Sequence, residues 1–158
     1  MSDGKVVPIG RKRRSARREI TVGGSVDETK LTLAIYGDEA LDVDAITTRL
    51  GVEPTETQCK GDRRKPRYRP YQKSAWFLRM SAEAPSGLSE LLQELLQSVP
   101  PPESAVWREL RTTYDVQLRI GIFMDAWNRG FHVDSDLFAK AAHIANTLNF
   151  DIYAAGDE

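Results

Sequence analysis

The amino-acid sequence predicts an α+β fold in which helices cover one face of an antiparallel sheet. Apolar and polar residues alternate in the candidate strands, as Leu31, Leu33 and Ile35 do within LTLAIY, and this is typical of strands with one buried face. Between the strands lie segments such as GLSELLQELL, whose leucines recur every three or four residues, as in an amphipathic helix. A doubly wound parallel sheet would show continuous apolar strands instead.

The first helix is expected directly after the first strand. Asp42 or Asp44 is placed to cap its N-terminus, and Gly51 suits the left-handed position after its last turn. The chain then leaves the helix, because the residue before Pro54 avoids helical geometry. Residues 55–73 contain few apolar side chains, so we expect them to form a long loop.

The rest of the chain is expected to form three more strands and three more helices. The predicted elements are a strand over 75–80, a helix from Pro85 that ends at the prolines 100–102, a helix capped by Ser104, a strand over 114–124, a helix capped by Asp134 or Ser135, and a strand over 150–153. The last helix should carry its apolar stripe as far as Leu148.

The resulting order is β-α-β-(α-α)-β-α-β. Without the two middle helices it becomes the ferredoxin-like split β-α-β plait. We therefore predict a four-stranded antiparallel sheet with extra helices inserted between strands 2 and 3. Its open face should carry Thr32, Tyr36, Phe77, Arg79, Gln117, Arg119 and Tyr153.

Charge divides the chain into a basic and an acidic half. Residues 1–79 hold 17 Lys/Arg and 11 Asp/Glu, a net charge of +6, whereas residues 80–158 hold 5 and 12, a net charge of -7. Residues 1–28 are predicted to form a flexible basic arm, since dense like charges resist packing, and residues 29–158 a single α+β domain. Removal of residues 1–28 is expected to leave the domain folded.

The composition also indicates a compartment. The one cysteine, Cys59, favours a reducing environment, and no apolar run is long enough to span a membrane. A cytoplasmic protein without a membrane partner is therefore expected.

Several motifs together resemble a known family. They are the strand end Tyr36-Gly37, the block ITTRLGVEP from Ile46 to Pro54, the tripeptide KGD from Lys60 to Asp62, and a strand that opens with Trp76. This spacing is similar to that of a bacterial domain of unknown function, number 4279, over roughly residues 31–153. The resemblance implies a compact α+β fold, and it implies no reaction and no catalytic residues.

The arm and the loop after Cys59 are the strongest candidates for a partner-binding surface. Cations can contact phosphates, and interleaved aromatic rings can stack on bases. The alternative is a solvated loop that acidic residues elsewhere balance. The candidate residues in the arm are Arg11, Lys12, Arg13, Arg14, Arg17 and Arg18, and those in the loop are Lys60, Arg63, Arg64, Lys65, Arg67, Tyr68 and Arg69.

A second candidate surface is the open face of the sheet. Tyr36, Phe77, Arg119 and Tyr153 are predicted to lie there, where aromatic rings can stack on bases. Such a face also packs on a second copy of the domain or on the protein's own tail, so a homodimer is left open.

The sequence indicates neither catalysis nor a metal or cofactor. Cys59 has basic neighbours that would activate a thiol, but His132 and His143 lie in no catalytic signature. The acidic residues near Asp42 lack the glycine and terminal glutamate of a calcium loop. No phosphate-binding glycine motif is present.

The predicted function is therefore non-enzymatic binding of an acidic partner, a nucleic acid or an acidic protein, by the basic arm and the basic loop. The alternative is a regulatory or immunity-type protein. Such a protein would dock and neutralise a protein partner through its open sheet face or through the loop 126–132, which contains Trp127 and Phe131.

Overall fold

The structure is a computed structural model that describes residues 24–126 and 129–154. The six cations of the arm between Arg11 and Arg18 lie outside the described residues, as does Trp127. The elements are β1 (Glu28–Gly37), α1 (Val43–Leu50), β2 (Glu56–Gln58), β3 (Ser74–Glu83), α2 (Leu88–Ser98), α3 (Ala105–Thr113), β4 (Asp115–Met124), α4 (Ser135–Ile144) and β5 (Thr147–Ala154).

The mixed α+β fold is built on one five-stranded sheet within the described residues. The strand order is β2-β3-β1-β4-β5, with β1 at the centre. β1 pairs antiparallel with both β3 and β4, and β2 pairs antiparallel with β3. β5 pairs parallel with β4, and α4 supplies the crossover that a parallel pair requires.

This topology differs from the predicted four-stranded antiparallel plait. A split β-α-β unit separates its two strands by another strand, whereas β1 and β3, on either side of α1, are hydrogen-bonded neighbours. The additional strand is β2, which lies within the segment predicted to be a loop. This strand of three polar residues is too short to show an alternation of apolar and polar side chains, so only its pairing with β3 identifies it.

The predicted helix signals near α1 and α3 have the expected geometry. The Asp42 carboxylate accepts a hydrogen bond from the backbone N–H of Ala45 at 3.0 Å, and Gly51 adopts a left-handed φ of 71°. Ser104 caps α3 through the N–H of Val106 at 3.3 Å. α4 ends at Ile144, and Leu148 belongs to β5 rather than to the helix. The helix ends before this point because Asn146 exchanges hydrogen bonds with Val116, and the pairing of β5 with β4 follows directly.

The core lies between the sheet and the helices on one of its faces. Leu31, Leu33 and Ile35 of β1 are fully buried in it, as are Trp76 and Trp107. Both indoles satisfy their N–H groups, which donate to Thr47 Oγ1 at 3.0 Å and to the carbonyl of Pro100 at 2.9 Å. The other face of the sheet carries no helix among the described elements, so its side chains form a surface.

The first described residues pack on the domain. Val26 is only 3% exposed and belongs to the core, and the backbone N–H of Asp27 donates to the carbonyl of Phe123 at 2.9 Å. Glu28 already forms the first residue of β1. Residues 26–28, assigned to the arm on composition, therefore contact the domain.

Candidate functional site

The basic loop, residues 59–73, is an ordered extension of the β2–β3 hairpin. The N–H of Gly61 donates to the carbonyl of Tyr71 at 2.9 Å, and the N–H of Tyr71 donates to the carbonyl of Asp62 at 2.8 Å. At the base, the N–H of Lys60 donates to Ser74 Oγ at 2.9 Å. The arginines are therefore carried on a hydrogen-bonded stem rather than on an unstructured linker.

Most cations of this loop face solvent without an acidic partner. Lys60 forms an ion pair with Glu39 at 3.2 Å. Within the described residues, no carboxylate lies within 4.0 Å of the remaining cations, and all of them are exposed: Arg63, Arg64, Lys65, Arg67, Arg69 and Lys73. Arg67 lies over the ring of Tyr68 at 5.3 Å, and that ring is 41% exposed. The loop thus presents cations together with an accessible aromatic side chain.

The Glu39 carboxylate contacts the base of this loop through Lys60. A hydrogen bond from its own backbone, together with the hydrogen bond and charge of Lys60, holds the pKa of Glu39 below its usual value. The carboxylate is fully ionised at neutral pH, and the contact with Lys60 is lost only as the pH falls through the lowered pKa. The charge of Lys60 is therefore already compensated.

The open sheet face gathers the residues that alternation placed there. Thr32 of β1 lies opposite Arg79 of β3 on one side and opposite Arg119 of β4 on the other. These residues line a groove of about 450 Å³ together with Lys30 and Asp151. The lining therefore contains three cations and one carboxylate.

The cations of this groove differ in their partners. Arg79 pairs with Glu56 at 2.8 Å, and Lys30 lies 3.8 Å from Glu28. Arg119 donates a hydrogen bond to the hydroxyl of Tyr36 at 2.9 Å. In the part of the chain that the structure describes, no carboxylate lies within 4.0 Å of Arg119. Its charge is consequently the one that the groove offers to a ligand.

Aromatic rings flank the cations at both ends of the groove. At one end Tyr36 and Phe77 meet edge to face at 5.7 Å, and Arg79 covers the ring of Phe77 at 4.9 Å. Phe77 lies on the predicted face but is only 5% exposed, so it supports the surface rather than offering a ring to a ligand. At the other end Phe123 and Tyr153 stack at 4.8 Å, and Tyr153 is 55% exposed.

The groove and the basic loop meet at Gln58. This residue lines the groove, and its side-chain amide donates to the carbonyl of Lys73 at the end of the loop at 3.0 Å. Gln58 and Tyr36 both lie opposite Ala75, on either side of β3. The two surfaces proposed separately from the sequence are therefore adjacent along one end of the sheet.

An apolar surface beside β5 is a feature that sequence analysis missed. It comprises a groove of about 470 Å³ between α2, α4 and β5, lined mostly by apolar atoms. Phe131, Phe138 and Phe150 line it and are each more than 40% exposed, and Ile152 on the same strand is 57% exposed. Large exposed apolar surfaces mark interaction sites in soluble proteins. The alternation of Phe150 and Ile152 along the sequence could have indicated this apolar surface. Their pairing with Ile120 and Ile122 places both side chains on the helix-facing side of the edge strand.

The other chemical candidates have plain structural descriptions. Cys59 is an exposed free thiol at the start of the basic loop. Within residues 24–126 and 129–154, no three His, Cys, Asp or Glu side chains are grouped to hold a metal ion. No helix among these residues has the length and apolar character needed to cross a membrane.

Comparison with known proteins assigns the chain to a family. No curated protein and no solved structure gives a significant match. The family model described as Domain of unknown function (DUF4279) matches residues 27–155, which is most of the chain and all of the sheet. This match begins at the residue next to the buried Val26 and ends just after β5. The chain therefore belongs to the DUF4279 family.

Proposed function

We propose that this protein is a non-enzymatic binding module that holds an acidic macromolecule on its basic loop, with the N-terminal arm as a second basic contact. One observation carries the proposal. Six cations project from an ordered stem without carboxylate partners in the described residues, next to the exposed ring of Tyr68. Each unpaired cation that contacts a phosphate releases condensed counterions, and this favours binding to a polyanion.

The test compares the full chain with a loop variant in which Arg64, Arg67 and Arg69 are changed to Gln. The probes are a labelled duplex, a labelled single strand and labelled polyglutamate, measured by fluorescence anisotropy at about 50 and 200 mM salt. Between these two salt concentrations the affinity of the wild type should fall by orders of magnitude, as expected for several phosphate contacts. The affinity of the variant, which makes fewer such contacts, should fall much less.

The control for the loop variant is a change to Gln of three exposed cations on other surfaces, Arg49, Arg108 and Lys140. It matches the lost charge but leaves the loop intact. Equal weakening by the loop and control variants would reduce the proposal to a general charge effect. Binding of none of the three probes at low salt would contradict it.

The second candidate function is docking and neutralisation of a protein partner, which the apolar surface beside β5 favours. That surface includes Phe131 of the loop 126–132, where a protein contact was expected from the sequence. The same edge strand supports a homodimer. Apolar docking differs from phosphate binding in its salt response, because burial of apolar area does not weaken between 50 and 200 mM salt. A complex that survives nuclease treatment and moderate salt would favour this candidate over the first.

A further inference from the structure

We infer that the groove on the open sheet face binds single-stranded nucleic acid, with a phosphate on Arg119 and a base stacked on Tyr153. The inference rests on the proposed function, since it names the class of acidic partner that the basic loop holds. It adds a binding surface that is distinct from that loop.

Arg119 is the feature of the groove that selects an anionic occupant. Arg79 and Lys30 are paired with Glu56 and Glu28, whereas Arg119 has no acidic partner within the described residues.

The aromatic side chains select an occupant with flat rings. Tyr153 stacks on Phe123 with an interplanar angle of 9°, and it remains 55% exposed, so its outer face can continue the stack. Lys30 lies 5.1 Å from the centre of the Phe123 ring and packs beside this stack, with its charge paired to Glu28 at 3.8 Å. A base stacked on Tyr153, with a phosphate of the same strand on Arg119, uses both the free ring face and the unpaired cation.

The dimensions of the face suit an extended chain rather than a single small anion. The row of Ala34 and Phe77 and the row of Glu28 and Phe123 are six residues apart along β1, or about 20 Å. Arg119 lies between these rows. At the Tyr36 end, Gln58 connects the groove to the basic loop through Lys73. A strand that stacks on Tyr153 can therefore cross Arg119 and leave towards Arg63 and Arg64.

An acidic polypeptide would meet the same cations, but it would leave the exposed Tyr153 ring without a flat partner. A duplex offers no unstacked base to that ring. The structural features therefore favour single strands over both alternatives, and the alternatives become outcomes of the test.

The test measures the affinity of the full chain for labelled twelve-residue oligo-dT and oligo-U, a matched duplex and polyglutamate, from about 50 to 200 mM salt. Arg119→Gln should weaken single-strand binding and lower the slope of log K against log salt by about 0.7, the value for one phosphate contact. Tyr153→Ala should weaken it on the order of tenfold with an unchanged slope, because stacking carries no charge.

Three further variants make the result specific. Arg119→Lys should keep the salt slope, and Tyr153→Phe should keep the wild-type affinity because the ring is retained. Arg108→Gln, an exposed cation on α3 at the helical side of the sheet, should leave the affinity within about twofold of wild type. Thermal unfolding of each variant should match wild type, since both substituted side chains of the groove are exposed.

Different outcomes separate this inference from the proposed function. Wild-type single-strand affinity for both Arg119→Gln and Tyr153→Ala would overturn the inference, while weakening by the loop variant would still support the proposed function. Equal loss of duplex and single-strand affinity with Tyr153→Ala would also overturn it. Binding of polyglutamate without binding of any oligonucleotide would overturn it and leave an acidic protein as the partner of the loop.

Discussion

At the scale of single residues, the contacts around one arginine separate a binding group from structural ones. Arg79 and Arg119 lie symmetrically on either side of Thr32, yet Arg79 is paired with Glu56 and Arg119 contacts the neutral hydroxyl of Tyr36. An exposed ion pair contributes little to stability, but it lowers the charge available to a ligand. Arg119 is therefore the better candidate for phosphate binding, although both arginines occupy equivalent positions in the register.

A residue-scale prediction concerns the end of α1. Gly51 has a φ of 71° and no atom near the position of an added Cβ, so Gly51→Ala introduces backbone strain without a clash. We expect it to lower the free energy of unfolding by about 1 kcal/mol, measured by urea denaturation. Gly51→Asn should lower it less, because asparagine tolerates this conformation.

The control for this prediction is Gly130→Ala. Gly130 also has open space around it, and its φ is not in the left-handed region. An equal loss of stability in the two alanine variants would show that the left-handed backbone of Gly51 is not the cause.

At the scale of elements, contacts between distant segments set the end of α4 and the start of β1, which local sequence patterns did not predict correctly. The apolar stripe of α4 continues in sequence to Leu148, but the chain turns into β5 at Thr147, where its backbone pairs with Gln117 of β4. The start of β1 shows the same effect. Composition assigned residues 26–28 to the basic arm, whereas Val26 fills a position in the core.

An element-scale prediction follows for the length of the arm. Deletion of residues 1–23 should leave thermal unfolding unchanged and weaken polyanion binding. Deletion of residues 1–28 should destabilise the domain by about 2 kcal/mol or more, because it removes the buried Val26 and part of β1. Differential scanning calorimetry of the two truncated proteins measures the difference.

The Val26→Ala variant of the full chain is the matched control, since it removes only the apolar contact. It should lose part of the stability that the longer deletion loses. Identical melting temperatures for the two truncations would contradict a structural role for residues 24–28.

At the scale of the whole molecule, the sheet gives the protein two unlike surfaces. The basic loop forms a cationic region beside the open face, whereas the edge at β5 carries exposed apolar side chains. β5 is an edge strand of eight residues with exposed Phe150, Ile152 and Tyr153. Natural proteins usually protect such edges, so an exposed apolar one indicates an association surface.

A whole-molecule prediction is self-association through β5. An antiparallel pair of β5 strands centred on Phe150 would place Asp151, the only charged residue of the strand, opposite Asn149 and avoid a like-charge pair. We expect a concentration-dependent dimer in sedimentation velocity. Ile152→Lys should shift it to monomer, because each buried lysine charge opposes the apolar contact.

Gln97→Lys is the control, since it adds the same charge at an exposed position on α2. A monomeric wild type at all accessible concentrations would sink the homodimer and leave the apolar edge to a different protein partner.

Local chemistry explains the parts of the structure that were predicted from sequence. The alternation in β1, β3 and β4 predicted which side chains point to the core and which to the open face, because successive side chains of a strand point to opposite sides. The caps at Asp42, Gly51 and Ser104 followed from hydrogen-bonding and backbone preferences of single residues. The family motifs between Ile46 and Trp76 also identified the DUF4279 family.

Only the tertiary structure decided which strands are neighbours, because pairing depends on hydrogen bonds between segments far apart in sequence. It added β2, made β5 parallel to β4, and brought Phe131, Phe138 and Phe150 from a loop, a helix and a strand into one apolar surface. It likewise placed Arg119 beside Tyr36, 83 residues away along the chain. The sequence by itself thus determined the class of fold and which side chains of β1, β3 and β4 face the core or the open face, and long-range pairing determined which residues lie together.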